Sequence, residues 1–221
     1  MTDTTIQAQI ADFDRGFAEQ IGPDLSAVFA AEQRTLREGG VPSGAVSPGD
    51  ALPSATLVDP DGAEVDLHAA LGSGPAVVVL YRGAWCPYCN LTLRQYQAEL
   101  LPALRERGAT LVAVSPQTPE GSARAVAGGG LDFAVLSDPS NAFVRALGLL
   151  TEPTPEARAA HAQLGFDVAD SNADGTGDIP FPTVIVVDAD RRVTFADVHV
   201  DYTTRTEVPE ILAAVDALLA R

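Results

Sequence analysis

The sequence predicts an α/β layer fold: a central mixed, partly parallel sheet flanked by helices, with an N-terminal helical extension. Three observations carry this. The runs at residues 77–81 and 110–115 are almost continuously apolar, as strands buried on both faces must be. Strand-like and helix-like segments alternate along most of the chain, which is the pattern of a layered α/β architecture. And 221 residues, 46% hydrophobic and 20% charged, suffice for a full core.

The elements follow in order. Ile6, Ile10, Phe13 and Phe17 recur at helical spacing, and Leu25, Val28, Phe29 and Leu36 do so again between Pro23 and Gly39-Gly40. Residues 4–38 therefore read as two amphipathic helices. Residues 41–53 are rich in Pro, Gly and Ser and read as a linker. A hairpin is expected at 55–58 and 64–67, around the turn Asp59-Pro60-Asp61-Gly62. A strand at 77–81 leads into a helix at 89–107, stopped by Gly108. A strand at 110–115 precedes a helix at 119–127, closed by Gly128-Gly129-Gly130. A strand at 133–136 and a helix at 141–147 come next. Residues 151–180, with Pro153, Pro155 and a polar Gly/Asp run, read as irregular. Strands at 184–188 and 192–195 flank a turn, and a helix from about 207 to 220 tolerates Pro209 in its first turn.

The charge balance excludes some roles. Thirty acidic and 14 basic residues give a formal net charge of −16. That opposes nucleic acid and anionic membrane surfaces. The first residues lack a basic and then apolar signal pattern, and no window reaches the length of a membrane span. A cytoplasmic location, with no nucleic-acid or membrane partner, is the expectation.

The chemistry is concentrated in Tyr81-Arg82-Gly83-Ala84-Trp85-Cys86-Pro87-Tyr88-Cys89-Asn90. It holds both cysteines of the chain, spaced C-x-x-C at a strand-to-helix junction. Such a pair serves redox exchange or metal binding. A structural zinc needs about four protein ligands. The chain offers no second C-x-x-C, only His68, His161 and His199, and no H-x₃₋₅-H spacing, so redox chemistry is favoured and no metal site is expected. The helix N-terminus favours a thiolate, and Arg82 adds positive charge. Pro87 stiffens the loop, while Trp85 and Tyr88 are placed to shield it. Phe181-Pro182-Thr183 enters a late strand from a loop, and its X-Pro bond is a candidate for the cis form. Asp170, Asn172, Asp174, Gly175 and Asp178 resemble the start of a calcium loop, but Phe181 stands where the bidentate Glu belongs, so a solvated loop is the better reading.

Taken together, these segments resemble the alkyl hydroperoxide reductase/thiol-specific antioxidant family, the peroxiredoxins and their peroxiredoxin-like relatives. The markers are Gly49-Asp50-Ala51-Leu52-Pro53, the Tyr81–Asn90 run, Leu111-Val-Ala-Val-Ser-Pro116, Leu136-Ser137-Asp138-Pro139, Ala146-Leu147-Gly148-Leu149, the Pro182–Asp188 strand and Asp201-Tyr202-Thr-Thr-Arg205. The resemblance implies a thioredoxin-like fold over residues 48–221, with residues 1–40 as a helical extension. It implies a thiol-dependent peroxidase that reduces hydrogen peroxide or organic hydroperoxides through a dithiol/disulfide cycle. It implies recycling by thioredoxin or a glutaredoxin-like reductant, no cofactor, and compatibility with a homodimer. Cys89 takes the attacking position, Cys86 the place of the family's threonine, and Arg82 that of its first proline. Phe181 stands where the family has an arginine, so Arg82 or Arg205 is left to orient peroxide. Trp85, Pro87, Tyr88, Phe181 and Pro182 fall on the substrate side. The tetrad Cys-Pro-Tyr-Cys is also glutaredoxin-like, and in that register Cys86 attacks. General thiol-disulfide exchange and a non-enzymatic redox sensor therefore stand as alternatives.

Overall fold

The structure, a computed structural model, describes residues 5–220. Residue 4, where the first helix was expected to begin, the three residues before it and residue 221 lie outside the described residues. The chain opens with α1 (Ile6–Gly39), capped by Thr5, whose hydroxyl accepts from Ala8 N at 3.1 Å. The two predicted helices are two arms of this element. Gly22 breaks it with φ 80° and ψ 172°, a region only glycine occupies without strain, and Pro23 starts the second arm.

The hairpin follows as β1 (Thr56–Val58) and β2 (Glu64–Asp66), then the short α2 (Leu67–Ala70). Next come β3 (Ala76–Leu80), α3 (Pro87–Gln95), a π-helical turn (Tyr96–Leu100) and α4 (Leu101–Glu106). The predicted helix thus begins two residues earlier than read, because Pro87 occupies its first position with a φ already suited to it. It is also interrupted by the π turn. Then come β4 (Thr110–Ser115), α5 (Pro119–Gly129), β5 (Ala134–Ser137) and α6 (Ala142–Ala146). Residues 151–180 are more ordered than predicted, holding β6 (Leu150–Thr151), α7 (Pro155–Gln163), α8 (Val168–Ser171) and β7 (Ile179–Pro180). Thr154 caps α7 by accepting from Ala157 N at 3.1 Å, and Pro155 is its first residue, so the prolines start a helix there rather than forbid one. The chain closes with β8 (Thr183–Val187), β9 (Val193–Val198) and α9 (Val208–Leu219).

Seven strands form one mixed sheet in the order β2-β1-β5-β4-β3-β8-β9. β3, β4 and β5 run parallel; β8 is antiparallel to β3, and β9 to β8. Both faces are covered, which explains the continuously apolar runs. Val77, Val79, Leu111 and Val184 face a core with Leu93, Tyr96, Ile211 and Ile6 of α1. Val78, Leu80, Val112 and Ile185 face a second core with Leu57 and Phe143. The cysteines belong to the first core, at the C-terminal end of β3.

Candidate active site

The loop from β3 to α3 is tightly pinned. Ala84 N donates to Gln117 Oε1 at 2.8 Å, and Gln117 Nε2 donates to the buried Tyr81 hydroxyl at 2.6 Å. Asn90 Nδ2 donates back to Ala84 O at 2.8 Å. Trp85 folds over Gly83, where a Cβ would come within 2.6 Å of the indole nitrogen, so a side chain there would expel the ring. Cys86 is the N-cap of α3, and Cys89 sits in its first turn. Both are reduced, and both are 1% exposed.

Two buried arginines flank the pair. Arg205, from the loop after β9, donates from Nη2 to Cys89 Sγ at 3.3 Å. Its Nη1 is fixed by the carbonyls of Tyr202 and Thr204, each at 2.6 Å. The Arg82 guanidinium lies between two rings, 4.8 Å from the centre of Trp85 and 4.2 Å from that of Tyr202. Burial alone would push the Cys89 thiol up. A hydrogen bond from Cys86, the Arg205 charge, a backbone hydrogen bond from Arg82 and the Arg82 charge outweigh it and bring Cys89 down to about 5. Cys86 moves the other way: burial, its hydrogen bond to Cys89 and the negative charge there push its thiol well up. The pair therefore holds one proton, on Cys86. Arg205 breaks the symmetry, since its hydrogen bond goes to Cys89.

The α1 arms cover this face. Tyr88 donates to Asp14 Oδ1 at 2.7 Å, and Tyr202 to Glu32 Oε2 at 2.9 Å. Glu32, 3% exposed, also accepts from Thr154 N at 3.1 Å, and Arg37 pairs with Asp201 at 2.5 Å. Between the arms, α7 and the redox loop lies a cavity of about 530 Å³, mostly apolar in its lining. Cys86 and Arg82 form part of its wall. Cys89 faces instead a gap of about 10 Å³ shared with Pro182, His199 and Arg205.

Of the predicted site residues, Arg82, Trp85, Cys86, Pro87 and Tyr88 converge on the large cavity. Pro182 lies on the Cys89 side, and Phe181 lies with Arg82 and Tyr202 on a third, small gap. The Phe181–Pro182 bond is trans, as are all peptide bonds among the described residues, which corrects the cis expectation. Asn172 donates to the carbonyls of Thr176 and Asp178, and Asp174 accepts from Thr176, so the acidic run closes on itself as turns. Among the described residues, no group of three or more His, Cys, Asp or Glu side chains is arranged to hold a metal ion. His68 contacts Leu52 O, and His199 bridges Asp197 and Thr204. His161 lies buried beside Phe166 and Trp85, and burial, together with the Arg82 charge, lowers it to about 4. Sequence reasoning missed Glu32, Asp14 and Gln117, and weighed His161 only as one of three histidines too few for a zinc site. It reached Arg205 only as one of two substitutes for the family's arginine, through the Asp201–Arg205 run.

A buried dithiol with one acidified sulfur, at a helix N-terminus beside a mixed sheet, defines a thiol-redox protein on the thioredoxin-like fold. The chain belongs to the Redoxin family, whose model matches residues 47–215. The fold is similar to that of the peroxidoxin BcpB from Mycobacterium tuberculosis, with TM-score 0.60 and 20% identity over 78% of this chain and 98% of that one. It is similar to reduced Prx3 from Vibrio vulnificus in complex with H₂O₂, with TM-score 0.61 and 20% identity over 77% and 99%. AhpC of Mycobacterium tuberculosis gives TM-score 0.60 and 18% identity over 80% and 94%. No curated protein matches the sequence.

Proposed function

We propose that the protein is a thiol-dependent peroxidase in which Cys89 attacks and Cys86 resolves. The observation that carries the assignment is Arg205 Nη2 at 3.3 Å from Cys89 Sγ, which favours the thiolate, the nucleophilic form, at that sulfur. The thiolate attacks the terminal oxygen of a hydroperoxide, an S–O bond forms and the O–O bond breaks. Cys89 becomes a sulfenic acid, and the alkoxide takes the Cys86 proton to leave as an alcohol, or as water from hydrogen peroxide. The Cys86 thiolate then displaces hydroxide, which leaves as water once protonated, and the disulfide closes. An external dithiol supplies two electrons and two protons: one proton returns to Cys86, Cys89 is regained as the thiolate, and the second proton neutralises the released hydroxide as water. Arg82 balances the negative charge as the leaving oxygen forms.

Family and fold favour this reading over general disulfide exchange and over a non-enzymatic sensor. One observation favours exchange at Cys86: this sulfur, not Cys89, lines the large cavity. Trapping the sulfenic acid with a dimedone-type probe separates the two. Cys86→Ser should be labelled after peroxide and Cys89→Ser should not; the reverse result rejects the assignment. A thioredoxin- or glutaredoxin-like reductant and a cytoplasmic location complete the proposal. No helix among the described residues is long and apolar enough to cross a membrane. We take residues 48–221 as the working domain and 1–40 as its extension, a division supported by the 47–215 family match.

A further inference from the structure

We infer that the cavity under α1 is a binding site for bulky, uncharged organic hydroperoxides, and that α1 is its specificity-determining element. The inference rests on the peroxidase reading and adds where the organic group sits.

The volume is the first ground. About 530 Å³ falls within the range of small-molecule sites, about 300–1,000 Å³, whereas a water's share of the liquid is about 30 Å³. Hydrogen peroxide needs no such space. The lining is the second. Phe17 and Phe29, one from each arm of α1, line it together with Trp85 and Phe166, and such walls favour aryl or branched alkyl groups over ions. The charge is the third. Asp14 also lines the cavity, and the chain's net charge of −16 disfavours anions.

The wall nearest the dithiol is polar and incompletely partnered. Arg82 is 4% exposed, yet no hydrogen-bond acceptor for its guanidinium is found among the described residues; it lies over two ring faces, with the charges of the cysteine pair and of Glu32 as its electrostatic neighbours. A buried guanidinium in a cavity wall is a donor set for the oxygens of a bound molecule. His161, 6% exposed, has a ring nitrogen, Nδ1, with no partner among the described residues. The two ends of the site then match the two ends of the substrate. The organic group lies among the rings, and the O–O bond lies past Arg82 toward the sulfurs. After attack by Cys89 on the terminal oxygen, the alkoxide is left on the Cys86 side, where the proton is. All the α1 contacts precede residue 47, where the family match begins, so this wall of the cavity lies outside the matched segment.

Trp85 is the only tryptophan, so its fluorescence reports the cavity directly. Cumyl alcohol, which carries the organic group of cumene hydroperoxide and cannot be reduced, serves as the probe. We expect a saturable fluorescence change in the reduced protein. Ala18→Trp would add a second tryptophan, so Ala18→Phe is used to fill the cavity, and it should weaken the probe at least tenfold. The ratio of kcat/KM for cumene hydroperoxide to that for hydrogen peroxide should fall at least tenfold in Ala18→Phe and in Phe17→Ala. Circular dichroism establishes that each variant is folded. Absence of a saturable change in the wild type, an unaltered affinity in folded Ala18→Phe, or an unaltered ratio in both variants overturns the site. Probe binding without turnover of any peroxide would overturn the peroxidase reading instead, and with it the role of the site in peroxide reduction.

Discussion

Replacing Arg205 with Met removes the charged side-chain donor that hydrogen-bonds Cys89 and distinguishes it from Cys86. A hydrogen bond to a charged group contributes about 1.5–3 kcal/mol, and about 1.4 kcal/mol is tenfold, so the thiolate is weakened roughly 10- to 150-fold. The Cys89 midpoint should move from about 5 to roughly 6–7. At pH 6 the wild type is then mostly thiolate and the variant is not; by pH 8 both are. The expected result is a loss of peroxide turnover that is several-fold at pH 6 and largely recovered at pH 8. Arg205→Lys, which keeps the charge, should lie between. Thiolate absorbance in the far ultraviolet, followed with pH, measures the midpoint without turnover. The carbonyls of Tyr202 and Thr204 also lose a donor, so thermal unfolding must establish that the variant is folded. An acidic limb that does not move, or a loss equal at every pH, would refute the electrostatic role of Arg205.

Three further outcomes are expected. Cys89 titrates below its unfolded value of about 8.5, so between about pH 5 and 8.5 the reduced native state binds fewer protons than the unfolded chain, and its stability rises with pH. Urea midpoints at pH 5.5 and pH 8 should show this increment in the wild type under reductant, and Cys89→Ser should lose the Cys89 part of it, keeping only the smaller rise that His161, held at about 4, gives over the same range. Glu32→Ala removes acceptors for Tyr202 and Thr154; at about 1.5–3 kcal/mol for each hydrogen bond to a charged group, and with incomplete additivity, a loss of about 2–4 kcal/mol is expected by chemical denaturation. Gly22→Ala meets no atom within 4 Å but forces a side chain into a glycine-only region, so it should cost about 1–3 kcal/mol through backbone strain alone.

The parts of the fold legible in the sequence were those whose signal is local. Two-sided burial of β3 and β4 leaves an apolar run, and Gly22-Pro23 marks the bend in α1. The C-x-x-C spacing at a strand-to-helix junction identified the dithiol. Helix α7 was missed although Thr154-Pro155-Glu156 carries a cap, a first-position proline and a first-turn acid; the neighbouring Gly/Asp run outweighed them. The rest is long-range. Arg205 reaches Cys89 across 116 positions, and Glu32 reaches Tyr202 across 170. No periodicity encodes such meetings, because they are products of the sheet order. The cavity was equally illegible: its walls come from α1, the redox loop and α7, each of which reads alone as ordinary amphipathic or aromatic sequence.

The loop that aims Arg205 is held at two points by the start of the chain. Arg37 grips Asp201, and Glu32 grips Tyr202, whose carbonyl fixes the guanidinium. The residues of α1 thus brace the loop whose arginine sets the acidity of Cys89. Removing them would leave both cysteines and the arginine in the chain and still alter the reactivity of Cys89, so an intact set of reacting groups does not by itself define the enzyme.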